Sequence, residues 1–221
     1  PEKTEYPVNL DLIKKYYTVT DDPAKADFAM VFIKSPVSNG YSRADREAGG
    51  NGYVPISLQL KDYTATEARA QSMAAGDPVI DPTITNRSYL NKTSKSNSYP
   101  DLNAILDTKK AMNGKPVLVA VTVSNPMVFG EFEKEVDAIV GEFGVQMEAL
   151  LDIVSGKTEP SGLLPLQMPI DMTTVEKQFE DVPHDMIPYR DSNGNVYDFG
   201  FGLNWKGTIK DARTEKYSVK K

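Results

Sequence analysis

The chain has 221 residues, 40% hydrophobic and 25% charged, the make-up of an ordinary globular protein with a core of useful size. Its formal charge is −6 with lysines scattered rather than massed, so it offers no concentrated basic face for nucleic acid, and it lacks the roughly eighteen-residue apolar run that a membrane span requires. Cysteine is absent and histidine occurs once, at His184, which excludes disulfides and thiolate metal sites and argues against zinc hydrolase or histidine-triad chemistry.

Any chemistry must therefore come from carboxylates, hydroxyls or amides, and no cofactor or metal is expected. Pro1 to Tyr6 show neither the basic nor the apolar region of a secretory leader and no initiator methionine, so a fragment or processed product is expected.

Residues 1–20 read as a lead-in segment, with a helix over Asp11 to Tyr17. Ala26 to Ile33 is a β-branched apolar run, and so is Lys115 to Val123; neither alternates, as expected of strands covered on both faces in a parallel sheet. Asp137 to Phe143 is a weaker run of the same kind. Between the first two strands lie two long stretches, glycine-rich residues 34–54 and polar residues 76–99; loops of such length usually carry function or lack order.

Asp101 to Met112 starts after Pro100 and stops at Asn113-Gly114, a helix with both punctuation marks in place. Gln146 to Val154 sets Met147, Leu150, Leu151 and Val154 on one helical face. After Pro160 the pattern gives a short strand, a helix near Thr173 to Phe179, a hairpin around Asn193-Gly194 and a tail over 206–221. Strands alternating with helices predict one α/β domain over 1–221, a three-layer α/β/α sandwich with a mostly parallel sheet.

Four stretches, in order, carry a resemblance. They are Ala24 to Ile33; Lys115 to Val119 followed by Ser124-Asn125-Pro126-Met127-Val128; Glu159-Pro160-Ser161-Gly162-Leu163-Leu164-Pro165-Leu166-Gln167-Met168-Pro169; and Tyr197-Asp198-Phe199-Gly200-Phe201-Gly202-Leu203-Asn204-Trp205. The last two are the most specific. Together they resemble the C-terminal domain of family 3 glycoside hydrolases, the β-glucosidase and β-xylosidase family, over about residues 20 to 210.

The resemblance implies an (α/β)6-type sandwich, here without its first strand or two. It implies a partner (β/α)8 barrel on the N-terminal side that holds an aspartate nucleophile. The sandwich would lend a loop with the acid/base glutamate, and the substrate would be an oligosaccharide cut at its O-glycosyl bonds. Retaining hydrolysis needs two carboxyl groups about 5 to 5.5 Å apart, so a site split between domains works only when they dock. The chain alone should be inactive. Family habit places the protein in a periplasm or outside the cell; neither membrane nor nucleic acid is an expected partner.

Where the family loop carries its glutamate, this chain reads Val37-Ser38-Asn39-Gly40-Tyr41-Ser42. The Asn39 amide can bind sugar hydroxyls but cannot donate and recover a proton as a carboxyl group does. Asp45 and Glu47 are the nearest substitutes for the acid/base, although both also read as solvated charges paired with Arg43 and Arg46. Asn39, Tyr41, Arg43, Asn51 and Tyr53 are the candidate substrate contacts, and Gly49-Gly50-Asn51-Gly52 is either shaped for close approach or a tight turn.

Asp191 to Asn195 has the outline of a calcium loop without the sixth-position glycine or a terminal glutamate, and reads better as a turn. His184 is expected to be exposed. Trp205 and Phe201 read as buried aromatics, with sugar stacking as the other option. Asn86 to Tyr89 could face a substrate or a barrel. Two further readings stand beside the enzyme domain: a carbohydrate-binding or scaffolding module, which Asn39 favours, and a flavodoxin-like nucleotide domain, which the lack of a glycine-rich phosphate loop disfavours.

Overall fold

The computed structural model describes residues 8–67, 89–179, 182 and 184–217. In chain order the elements are α1 (Leu10–Ile13), β1 (Ala29–Lys34), α2 (Arg43–Glu47), β2 (Tyr63–Thr64), β3 (Thr93–Ser94), α3 (Tyr99–Met112), β4 (Val117–Thr122) and β5 (Ala138–Glu142), followed by α4 (Met147–Val154), α5 (Met172–Lys177), β6 (Leu203–Asn204), β7 (Gly207–Thr208) and α6 (Ala212–Tyr217).

β1, β4 and β5 form a parallel sheet in that order, with Val31 opposite Val119 and Val119 opposite Ile139. Parallel neighbours need a crossover, and α3 supplies the one between β1 and β4. The apolar runs fail to alternate because both faces of the sheet are covered. Val31 and Ile33 of β1, with Val117, Val119 and Val121 of β4, pack on Leu102, Ile105 and Met112 of α3. Met30 and Phe32 turn the other way, against Leu12 and Ile13 of α1 and Leu151 of α4. Helix, sheet and helix thus make three layers, as the sequence predicts.

Local punctuation sets the ends of α3. Pro100 sits in its first turn, where a missing N–H costs nothing, and Asn113 (φ 47°) with Gly114 (φ 87°) takes the chain out through left-handed conformations. Asp137 then locks the layers together. Its carboxylate accepts the Val117 amide at 2.8 Å and Lys109 Nζ at 2.7 Å, joining the start of β4 to α3 and to the approach of β5.

The C-terminal third carries less regular structure than the sequence suggests. The strand expected after Pro160 is reduced to an isolated bridge between Pro169 and Pro188, because Pro165 and Pro169 have no amide to give a ladder. The segment is held instead by Leu164 N to Phe201 O at 2.7 Å, Gly200 N to Leu164 O at 2.8 Å, Met168 N to Tyr197 O at 2.9 Å and Tyr189 N to Met168 O at 2.7 Å.

The two most specific sequence motifs therefore lie side by side, and they meet at two glycines. A Cβ on Gly202 would stand 2.1 Å from the carbonyl oxygen of Gly162. Around this joint Phe129, Tyr189, Tyr197 and Phe201 form an aromatic cluster, with Tyr197 stacked on Phe201 at 5.3 Å. Tyr189 Oη donates to the buried Glu133 carboxylate at 3.0 Å, and Ser192 donates to its other oxygen from Oγ at 2.9 Å.

Trp205 departs from expectation. It occupies the two-residue turn between β6 and β7 and is 62% exposed, so it is not a core aromatic. Phe201 does pack inward, half-buried against Tyr197. The expected helix over 11–17 is α1 followed by turns, and that over 173–179 ends at Lys177, where Gln178 turns extended (ψ 136°).

Candidate active-site loop

In a parallel α/β sheet the loops leaving the C-terminal ends of the strands gather at one edge, and sites are built there. The loops leaving β1 and β4 are stitched together at that edge. The buried Ser35 hydroxyl accepts the Ser124 amide at 2.9 Å, and Asn125 Nδ2 donates to the Pro36 carbonyl at 2.9 Å. Residues 39–54 project from this base.

Asn39 lies exposed, and its side-chain oxygen accepts the Tyr41 amide at 3.2 Å in a local turn. Tyr41 and Tyr53 then face each other across an antiparallel bridge, their rings edge to face at 6.2 Å. Ser42 N to Gly52 O at 2.7 Å and Val54 N to Gly40 O at 3.1 Å close the neck of the loop. Within it the Ser42 hydroxyl caps α2 by accepting the Asp45 amide at 3.2 Å. The glycine cluster is needed for this closure. Gly52 has φ +84°, and a Cβ there would sit 2.5 Å from the Tyr41 ring; one on Gly50 would sit 2.2 Å from the Asp45 carboxylate.

The two candidate acids sit in different surroundings. Asp45 accepts Lys92 Nζ at 2.6 Å and the Gly52 amide at 2.8 Å. Those two bonds, Lys92 first, hold its carboxyl below the usual 3.8. Glu47 accepts Arg43 Nε at 2.8 Å, one turn back on α2, with side chains 65% and 87% exposed, an ion pair of little strength. Pairing with arginine, expected for both acids, is therefore found at Glu47. The cation on Asp45 is Lys92, which the sequence reading missed; a separation of 47 residues leaves no local signal.

The loop thus brings together Tyr41 with Tyr53, and Asp45 with Asn51 through Lys92, whose Nζ also reaches Asn51 Oδ1. Arg43 and Glu47 lie on the open surface of α2.

Because Asp45 titrates lower folded than unfolded, its bonds contribute fully above about pH 3.8 and are lost as pH falls through the depressed folded value. The Gly52 amide resonance should report this with a midpoint below 3.8; a midpoint at or above 3.8 would show that the Asp45–Lys92 pair does not form in solution.

The other candidates are less suited to chemistry. Asp191 spends its carboxylate on the Asn193 amide at 3.0 Å and on Asn195 at 2.7 and 2.8 Å, which makes the expected turn. His184 is exposed, with φ 63°. Residues 86–88 lie outside the described residues, while Tyr89 donates to Glu176 Oε2 at 2.6 Å and so serves the protein interior. Among the described residues no helix is long and apolar enough to cross a membrane.

A three-layer α/β domain with a polar, tyrosine-lined loop at the exit of its parallel strands is the class these features define. The model of the glycosyl hydrolase family 3 C-terminal domain matches residues 14–205, and the chain belongs to that family. A protein named probable beta-glucosidase C from Aspergillus flavus is 35% identical over 107 residues, covering 46% of this chain and 16% of the relative. Beta-glucosidase C of Emericella nidulans is 31% identical over 121 residues, 52% of this chain and 19% of the relative. A periplasmic beta-glucosidase/beta-xylosidase of Dickeya chrysanthemi is 30% identical over 107 residues, 48% and 15%. The chain thus spans less than a fifth of the length of these relatives.

Proposed function

We propose that this domain forms one wall of the active site of an exo-acting glycosidase that cuts β-glucosides or β-xylosides, the opposite wall being a (β/α)8 barrel that supplies the nucleophile. The loop over 39–54 carries this reading. It sets a pair of tyrosines, amides and an open carboxylate on one edge of the sheet, the groups that grip sugar rings and hydroxyls and could protonate a leaving oxygen. Nearby, Val37 and Ile56 are 79% and 54% exposed, apolar side chains suited to a docked neighbour.

Asn39, Tyr41, Arg43, Asn51 and Tyr53 are the proposed substrate contacts. A periplasmic or secreted setting accords with the name of the Dickeya relative. Asn39, standing where a glutamate is expected, favours a second reading, a sugar-binding or scaffolding module without a catalytic part.

The test compares the parent protein, the parent lacking residues 14–205 and this chain alone on aryl β-glucoside and β-xyloside. The parent should turn over substrate, the truncated parent should lose about a hundredfold or more, and the chain alone should be silent. Turnover by the chain alone would refute the two-wall reading, and an unimpaired truncated parent would favour the binding module.

A further inference from the structure

Residues 40–54 hold one five-residue helix and no strand, so their shape depends on the few bonds that tie them down. One of these comes from a distant part of the chain. Lys92 leads into β3, and its backbone is pinned: its amide donates to Tyr89 O at 3.0 Å, and its carbonyl accepts the Ala65 amide at 3.0 Å, Ala65 being fully buried. The antiparallel pairing of β2 with β3 fixes the same spot, and Asp62, just before β2, holds Lys95 at 2.6 Å and the Ser96 amide at 2.9 Å. Lys92 is thus a post on the domain body.

From that post a single ammonium reaches both arms of the loop. It bonds Asp45 on α2 at 2.6 Å and Asn51 Oδ1 on the returning arm. Asp45 in turn takes the Gly52 amide, and Asn51 Oδ1 takes the Tyr53 amide at 3.0 Å. Gly50 and Gly52 leave the room for this clasp. The side chains of Lys92 and Asp45 are 22% and 23% exposed, so water screens the pair less than the Arg43–Glu47 pair beside it.

We infer that Lys92 is the positioning residue of the candidate active-site loop, clasping its outgoing and returning arms so that Glu47, Tyr41 and Tyr53 keep a fixed place. The inference rests on the wall function proposed above and names the residue through which that wall is held.

Lys92→Met, with Lys92→Arg as the charge-keeping control, tests it by two readouts. In this chain, amide exchange at Gly52 and Val54 should quicken roughly tenfold in Lys92→Met while exchange in β4 stays unchanged. In the parent enzyme, kcat should fall about ten- to a hundredfold with a smaller change in KM, because a displaced loop still binds sugar but aligns it poorly. Lys92→Arg should recover most of both. Unchanged Gly52 exchange in Lys92→Met overturns the clasp, and faster exchange with kcat intact overturns the positioning role. Failure of the wall reading itself is separable: deleting residues 40–53 from the parent would then leave hydrolysis unaltered.

Discussion

Gly202→Ala should destabilise the folded chain by about 3 kcal/mol, while Gly162→Ala should change stability by less than about 0.5 kcal/mol. The two glycines face one another where the two most specific sequence motifs meet, yet they do different work. A Cβ on Gly202 would lie 2.1 Å from the Gly162 carbonyl oxygen and 3.0 Å from a Leu163 methyl. The oxygen belongs to backbone, so it can give way only if the whole segment shifts. That segment is held at Leu164, whose N donates to Phe201 O and whose carbonyl accepts Gly200 N, and moving it would strain both bonds.

A Cβ on Gly162 meets nothing within 4 Å, and Gly162 is not in the left-handed region. Urea unfolding of the two variants beside wild type settles the matter. Equal midpoint shifts would mean that the motifs do not touch as described. A large shift for Gly202→Ala with an unchanged m-value would place the effect on the native joint rather than on the unfolded chain.

The contrast bears on what the sequence could disclose. That both motifs carry glycines is plain in the sequence; which of them is indispensable is not, because that depends on a carbonyl some forty residues away in the chain. The buried parallel strands were plain, since a strand covered on both faces writes an unbroken apolar run such as Val117 to Val121. The bounds of α3 were plain too, because Pro100 and Asn113-Gly114 act locally.

β2 and β3, two residues each, are too short to leave a periodic trace. Trp205 looked like core because tryptophan usually is, and only its place in a two-residue turn exposes it. Within the loop, the residue types at 39–53 were readable as candidates for sugar chemistry. Their division of labour was not, because it turns on Lys92, whose approach belongs to tertiary structure.

That division of labour yields the second large effect. In the parent glycosidase proposed above, with Glu47 as its proposed acid/base, Glu47→Ala should lower kcat/KM for a glycoside with a poor leaving group by about 10²- to 10⁴-fold, equivalent to roughly 3–5 kcal/mol of transition-state stabilisation. A general acid must hold a proton near working pH, and Asp45 is ill suited: Lys92 and the Gly52 amide both favour its charged form. Glu47 is held by a solvent-screened arginine on the open surface of α2, from which it can swing toward a leaving oxygen.

The signature of a lost acid/base is specific. Activated aryl glycosides, whose leaving groups need no proton, should suffer much less at the glycosylation step, and added azide should restore turnover by attacking the glycosyl-enzyme in place of activated water, giving a glycosyl azide. Asp45→Ala should also slow the enzyme, through the unclasped loop, but on good and poor leaving groups alike and without rescue by azide. Azide rescue of Asp45→Ala rather than Glu47→Ala would exchange the two roles. Wild-type rates in both variants would leave this loop, with Asn39 at its head, a binding surface for sugar and nothing more.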